Sequence, residues 1–190
     1  MRPARWLIVV LLFVPASVEA QTGSASVALR ATVSENVALS ILPNSRQKDV
    51  KVDVVSSGGN TVQLTLSGDD PQTQVIRVPL LVRSNSNFKI TAVFESETAE
   101  LDQLSVTDVH ATGTLVSPQI VNSLDKREVY SDSSRPLLVL SGPRISLGGT
   151  LNSSGNALKV NVLIRLKPQQ PVSGWLVHLT FVGTAGSLAQ

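Results

Sequence analysis

The residues best equipped for chemistry are two histidines and two groups of carboxylates, and their spacing assembles no reaction. His110 and His178 are the only histidines in 190 residues. A zinc-type centre needs three or four convergent ligands. Each histidine instead sits at a polar-face position of an alternating stretch, "LSVTDVHATGTL" and "WLVHLTFV", read without a second histidine or an acidic partner at close spacing. Both are assigned to the sheet surface. The carboxylates gather at Asp69-Asp70 and at Glu95, Glu97, Glu100 and Asp102. Oxygen ligands suit calcium, but this spacing matches no calcium-loop pattern. An acid pair for glycoside hydrolysis would have to be drawn from separate loops, and nothing in the spacing selects one. Serines are plentiful, yet there is no G-x-S-x-G elbow, and "GGTLNSSG" is neither a phosphate loop nor a dinucleotide fingerprint. The chain has no cysteine, which excludes a thiol nucleophile, thiolate ligands, a lipid-bearing cysteine and disulfides. No catalytic, cofactor or metal site is assigned, and the chain is expected not to be an enzyme. The single candidate ligand-binding residue is Tyr130, an aromatic in the polar stretch "SPQIVNSLDKREVYSDSSRP".

Positioning such residues falls to strands. Apolar and polar residues alternate through most of the sequence, and no apolar stripe at spacing three and four competes with that period. "SASVALRAT", "NVALSIL", "VKVDVV", "TVQLTLS", "VIRVPLLVR", "FKITAVF", "PLLVLSG", "LKVNVLIRL" and "WLVHLTFV" read as strands, with turns at "SGGN" and "SNSN". The eight-residue likeness of "SGGNTVQL" to "SSGNALKV" is shared turn chemistry, since Gly and Asn accept the positive φ of tight turns. The last two strands are read as a hairpin with one dry side: Leu158, Val160, Val162, Ile164 and Leu166 on one strand, Trp175, Val177, Leu179 and Phe181 on the other. Trp175 is placed with the core as a plug at the sandwich's end. Glu95–Gln103 is predicted to be a solvated crossover with at most a helical turn, and Ser117–Pro136 a long surface loop. The fold class predicted is all-β, a two-sheet antiparallel sandwich forming a single domain over residues 21–190.

Residues 1–20, "MRPARWLIVVLLFVPASVEA", read as a cleaved secretory signal peptide: basic start, apolar run, small residues at the end. The apolar run is shorter than the roughly 20 residues that cross a bilayer. Removing it takes away Arg2, Arg5 and Glu19 and leaves 14 basic and 13 acidic residues. Scattered charge so near balance argues against nucleic acid, whose phosphates demand a concentrated basic face. Five aromatic residues remain, Phe88, Phe94, Tyr130, Trp175 and Phe181, too few for the aromatic girdles of a membrane barrel. An exported chain without cysteine must be held by its own core. Asn152-Ser153-Ser154 fits an N-glycosylation sequon, used only where the exporting cell has that pathway.

The segments "ASVALRATVSENVALSIL" and "PVSGWLVHLTFVG" resemble those of secreted, immunoglobulin-like bacterial surface proteins and, more loosely, cysteine-free fimbrial subunits. The resemblance implies an immunoglobulin-like sandwich and places a donated strand, one that completes a neighbour's sheet, within Gln21–Thr32. The physical alternative is that this strand pairs in cis with its own sheet. Two functions are carried forward. The first is a non-enzymatic structural or adhesive surface protein, exported to the periplasm, cell surface or medium, whose partners are other protein chains, copies of itself included. The second is a secreted carbohydrate- or other ligand-binding module, with loops such as Ser117–Pro136 providing the site and Tyr130 as its candidate residue.

Overall fold

Strand alternation becomes two sheets in the computed structural model, which describes residues 36–42, 49–112, 118–130, 136–145, 156–169 and 174–186. The predicted signal peptide at 1–20, the strand within Gln21–Thr32 and the sequon at Asn152 lie outside them. Ten strands and one short helix follow in order: β1 Val37–Ile41, β2 Lys51–Gly58, β3 Thr61–Gly68, β4 Gln74–Ser84, β5 Phe88–Glu95, β6 Ala99–Thr112, α1 Pro118–Asn122, β7 Asp125–Lys126, β8 Leu137–Gly142, β9 Ala157–Pro168 and β10 Trp175–Ala185. A four-stranded sheet has the order β1-β4-β9-β6, a six-stranded sheet the order β2-β3-β10-β5-β8-β7. Every pairing is antiparallel. The molecule is a β-sandwich.

The core lies where the two dry faces meet. From the four-stranded sheet come Ile76, Val78, Leu80 and Val82 of β4 and Val160, Val162, Ile164 and Leu166 of β9. Val62, Leu64 and Leu66 of β3, Ile90 and Phe94 of β5, and Trp175, Val177, Leu179 and Phe181 of β10 complete it from the six-stranded sheet. All are buried, and their neighbours in sequence face outward, because successive side chains of a strand point to opposite faces. Burial of this kind, at roughly 25 cal/mol per Å² of apolar surface, is what holds a cysteine-free chain together.

Three expectations need correction. The last two long strands do not form a hairpin: β9 pairs with β4 and β6, whereas β10 pairs with β3 and β5 in the opposite sheet. Their dry faces do meet, but across the sandwich. Periodicity tells which face of a strand is buried and says nothing about its hydrogen-bonding neighbour. The acidic stretch is not a solvated crossover beyond Thr98. Ala99–Gln103 opens β6, with Ala99 and Leu101 buried and Glu100 opposite Lys167 of β9. The charged residues take the wet side of an ordinary strand. The polar stretch Ser117–Pro136 is not simply a loop, since it contains α1 and β7 and packs Ile120, Val121 and Leu124 against the core.

Both lateral sides of the sandwich are crossed by chain. On one side β1 pairs with β4, and its opposite edge reaches the β2–β3 hairpin of the other sheet: Leu39 N–H donates to the Gly59 carbonyl at 2.8 Å and Ile41 N–H to the Ser57 hydroxyl at 3.3 Å. Gly59, at φ 60°, supplies the positive angle that this two-residue turn requires. On the other side β7 pairs with β8, after which Val129 and Leu104 of β6 exchange both backbone hydrogen bonds at 2.9 Å. A third tie runs at one end, where the Ser96 hydroxyl donates to the Leu176 carbonyl at 2.6 Å and the Thr98 hydroxyl accepts from Leu176 N–H at 2.8 Å.

Candidate functional site

The least buried long strand is β2, at the rim of the six-stranded sheet, and β1 with its five residues covers only the Ser57–Gly59 end of it. Two consequences follow. The inward-facing valines are incompletely roofed: Val54 is 46% exposed, and Val55, displaced by a bulge between Val54 and Ser56, is 64% exposed. Below them opens a groove of about 1020 Å³, walled by Ile41 and Leu42 on one side and by Val50, Val52 and Val54 on the other, with Trp175 among its lining residues.

The backbone of β2 can be followed bond by bond. Gly183 N–H donates to the Asn60 carbonyl at 2.7 Å, which sets the alternation along β10 and β3. Phe181–Val62, Leu179–Leu64 and Val177–Leu66 are the hydrogen-bonded pairs. Thr65 and Ser67 therefore turn their polar backbone groups toward β2, where they face Asp53 and Lys51. Val52 and Val54, out of phase by one, direct theirs away from the sheet, and no described segment pairs with them. On the outer face, Lys51 Nζ and Asp53 Oδ2 lie 2.7 Å apart, an exposed pair of the kind that contributes roughly 0–1 kcal/mol.

The end of the groove is built by a glycine. A Cβ on Gly68 would stand 2.7 Å from the Trp175 ring and 2.9 Å from the Asp49 carbonyl, so the indole lies flush against backbone. Trp175 is 3% exposed, a core plug as its strand face predicted, and its Nε1 is buried without a hydrogen-bond partner. Asp49, at φ 68°, bends the chain into β2 in the left-handed region that Asp tolerates better than most residues.

The sequence-predicted residues are dispersed. Tyr130 stands at the edge of the four-stranded sheet, 63% exposed, one residue beyond the Val129–Leu104 bridge. Glu128 accepts a hydrogen bond from Gln103 Nε2, and the Tyr130 phenol is held above its ordinary value of 10.0, chiefly by hydrogen bonding to the Glu128 carboxylate. Tyr130 is the only tyrosine, so phenolate absorbance follows a single group. Glu128→Gln is expected to move its titration midpoint down toward 10.0. An unchanged midpoint would detach Tyr130 from Glu128.

His110 and His178 are exposed on strands, in different sheets. His178 Nδ1 lies 3.3 Å from the Thr65 hydroxyl. His110 does have an acidic partner: Asp108 Oδ2 is 2.5 Å from its Nε2. Residues two apart on a strand share a face, so "DVH" carried that signal in plain sight. The carboxylates serve locally, Asp70 Oδ1 accepting from Gln72 N–H at 2.9 Å and Glu100 from the Gln169 amide at 3.0 Å. Among the described residues no three His, Cys, Asp or Glu side chains gather as a metal-binding group, and no helix is long and apolar enough to cross a membrane.

The class that the fold defines is the two-sheet antiparallel β-sandwich. Comparison with protein-family models, with curated proteins and with solved structures found no match to this chain.

Proposed function

We propose that the chain is a non-enzymatic structural or adhesive surface protein, exported by its N-terminal signal and joined to other chains by β-strand addition. The observation that supports it most is the outer edge of β2, where Val52 and Val54 present backbone groups that no described segment pairs, beside a groove that Ile41, Leu42 and Val50 line together with Asp49, Asp69 and Thr98. An added strand satisfies such groups with main-chain hydrogen bonds and fills pockets with alternate side chains. The signal peptide read at residues 1–20 would place these contacts outside the cytoplasm.

Residues 21–190 are expected to self-associate in a concentration-dependent way on size-exclusion chromatography. A strictly monomeric protein up to millimolar concentration sinks the reading. A chain starting at Val33 then locates the contact. Association lost assigns it to Gln21–Thr32 as the donated strand, and association kept assigns it to the edges of the folded domain.

A second reading has one observation in its favour: Tyr130 is an exposed ring flanked by Glu128 and Gln103, the mixture of flat apolar surface and hydrogen-bonding groups that a sugar needs. Saturable binding on a glycan array, lost in Tyr130→Ala, would move the function to that site.

A further inference from the structure

We propose that the outer edge of β2 pairs with the same edge of a second copy of this chain, antiparallel about a two-fold axis, with Val52 opposite Val52 and Lys51 opposite Asp53. The inference rests on the reading of the chain as one that assembles by strand pairing, and adds the partner and the register. An isologous contact requires a surface complementary to itself, and among alignments centred on Lys51, Val52, Asp53 or Val54 only the one at Val52 sets opposite charges of β2 against each other.

Two-fold alignments centred on the residues from Lys51 to Val54 bring the outward groups of Val52 or Val54 against a second copy. Centring the axis on Lys51 sets Lys51 against Lys51, and centring it on Asp53 sets Asp53 against Asp53. Like charges directly opposite each other destabilise a strand pair. Centring on Val54 runs the contact across the bulge between Val54 and Ser56 and matches Lys51 with Ser57, whose hydroxyl already accepts Ile41 N–H. Centring on Val52 gives two Lys51–Asp53 pairs between the copies and lets the two Val52 residues exchange both backbone bonds.

The intramolecular contact of Lys51 with Asp53, both exposed, shows that the two charges share one face of the strand. The inner face fits as well. A strand added in this way continues the pleat, so Val52 and Val54 of the second copy lie on the inner face, beside the Ile41 and Leu42 wall of the groove. Charged residues and a bulge are common means of keeping an edge from pairing indiscriminately. Here the alternating sign and the bulge reject the other registers and leave this one.

The test uses residues 21–190 in sedimentation velocity. Lys51→Asp and Asp53→Lys are each expected to weaken the dimer about tenfold or more, because two attractive cross-strand pairs become repulsive. The double exchange, Lys51→Asp with Asp53→Lys, restores opposite signs and is expected to return affinity to within about threefold of the parent. These positions are exposed, and circular dichroism checks that each variant is folded.

A second readout exploits the absence of native cysteine. Val52→Cys is expected to form an intermolecular disulfide under mild oxidation, since Cα atoms of a hydrogen-bonded antiparallel pair are about 5.5 Å apart, inside the roughly 4.4–6.8 Å that a disulfide spans. Val55→Cys is the more exposed thiol but has no partner at that distance in this register, and is expected to stay reduced. Equal cross-linking of the two, or a dimer indifferent to Lys51→Asp, overturns the self-pairing. If association is lost without Gln21–Thr32 yet ignores the β2 substitutions, self-pairing falls and assembly by strand addition stands. A protein monomeric in every form overturns both.

Discussion

Phe181→Ala is expected to destabilise the sandwich by about 3–5 kcal/mol, the range for removing a buried aromatic ring from a packed core. Phe181 lies at 0% exposure in β10, between Val62 of β3 and Ala92 of β5. Neither of those two side chains is long enough to reach into the void. Since a domain of this kind is stable by only about 5–15 kcal/mol, the loss takes a large part of the total. In urea the midpoint should fall with the slope unchanged. Val182→Ala, one residue on and half-buried on the outer face, is the control and is expected to cost about 1 kcal/mol or less. Equal effects at the two positions would mean that the dry face has been misassigned.

Trp175→Ala comes next, with an expected cost in the same range of about 3–5 kcal/mol. Trp175→Phe separates the ring's volume from its polar atom. The buried Nε1 has no acceptor, and an unsatisfied buried donor costs about 1–3 kcal/mol. Phenylalanine forgoes that penalty while keeping much of the apolar area, so its net cost is expected to be less than half that of alanine. Trp175 is the sole tryptophan after residue 20, and its emission should be blue in the folded protein and shift red in urea. Emission already red in the folded state would mean that the indole is exposed to solvent instead of plugging the core.

What could be read in advance depended on how many residues repeated the same message. In β9 and β10, nine apolar residues at every second position left one interpretation, and all nine are buried. Which strand lay beside which was not encoded in that period. Ile164 stands opposite Leu104 of β6 and Ile76 of β4, and neither partner could be chosen from hydropathy, since any apolar strand would have served. Ala99 and Leu101 were hidden by the acidic residues around them, although their spacing was already that of a strand.

The candidate site was less legible than the core. "VKVDVV" announced a strand, but the exposure of Val54 and Val55 follows from the shortness of β1, a property of another segment. Trp175 was placed correctly because its face was shared with Val177, Leu179 and Phe181. Its close fit to Gly68 arises from a glycine more than a hundred positions earlier, which only the pairing of β10 with β3 brings into contact.

The location of β10 has a bearing on how the molecule comes into being. Because β10, late in the chain, is wedged between β3 and β5, the larger sheet stays in two pieces until Trp175–Ala185 has been made. Such distant pairings slow folding, since loop closure precedes any reward from contact. A nascent or truncated chain ending before Trp175 presents the apolar faces of β3 and β5 with a vacant lane between them, a state prone to aggregate if it lingers.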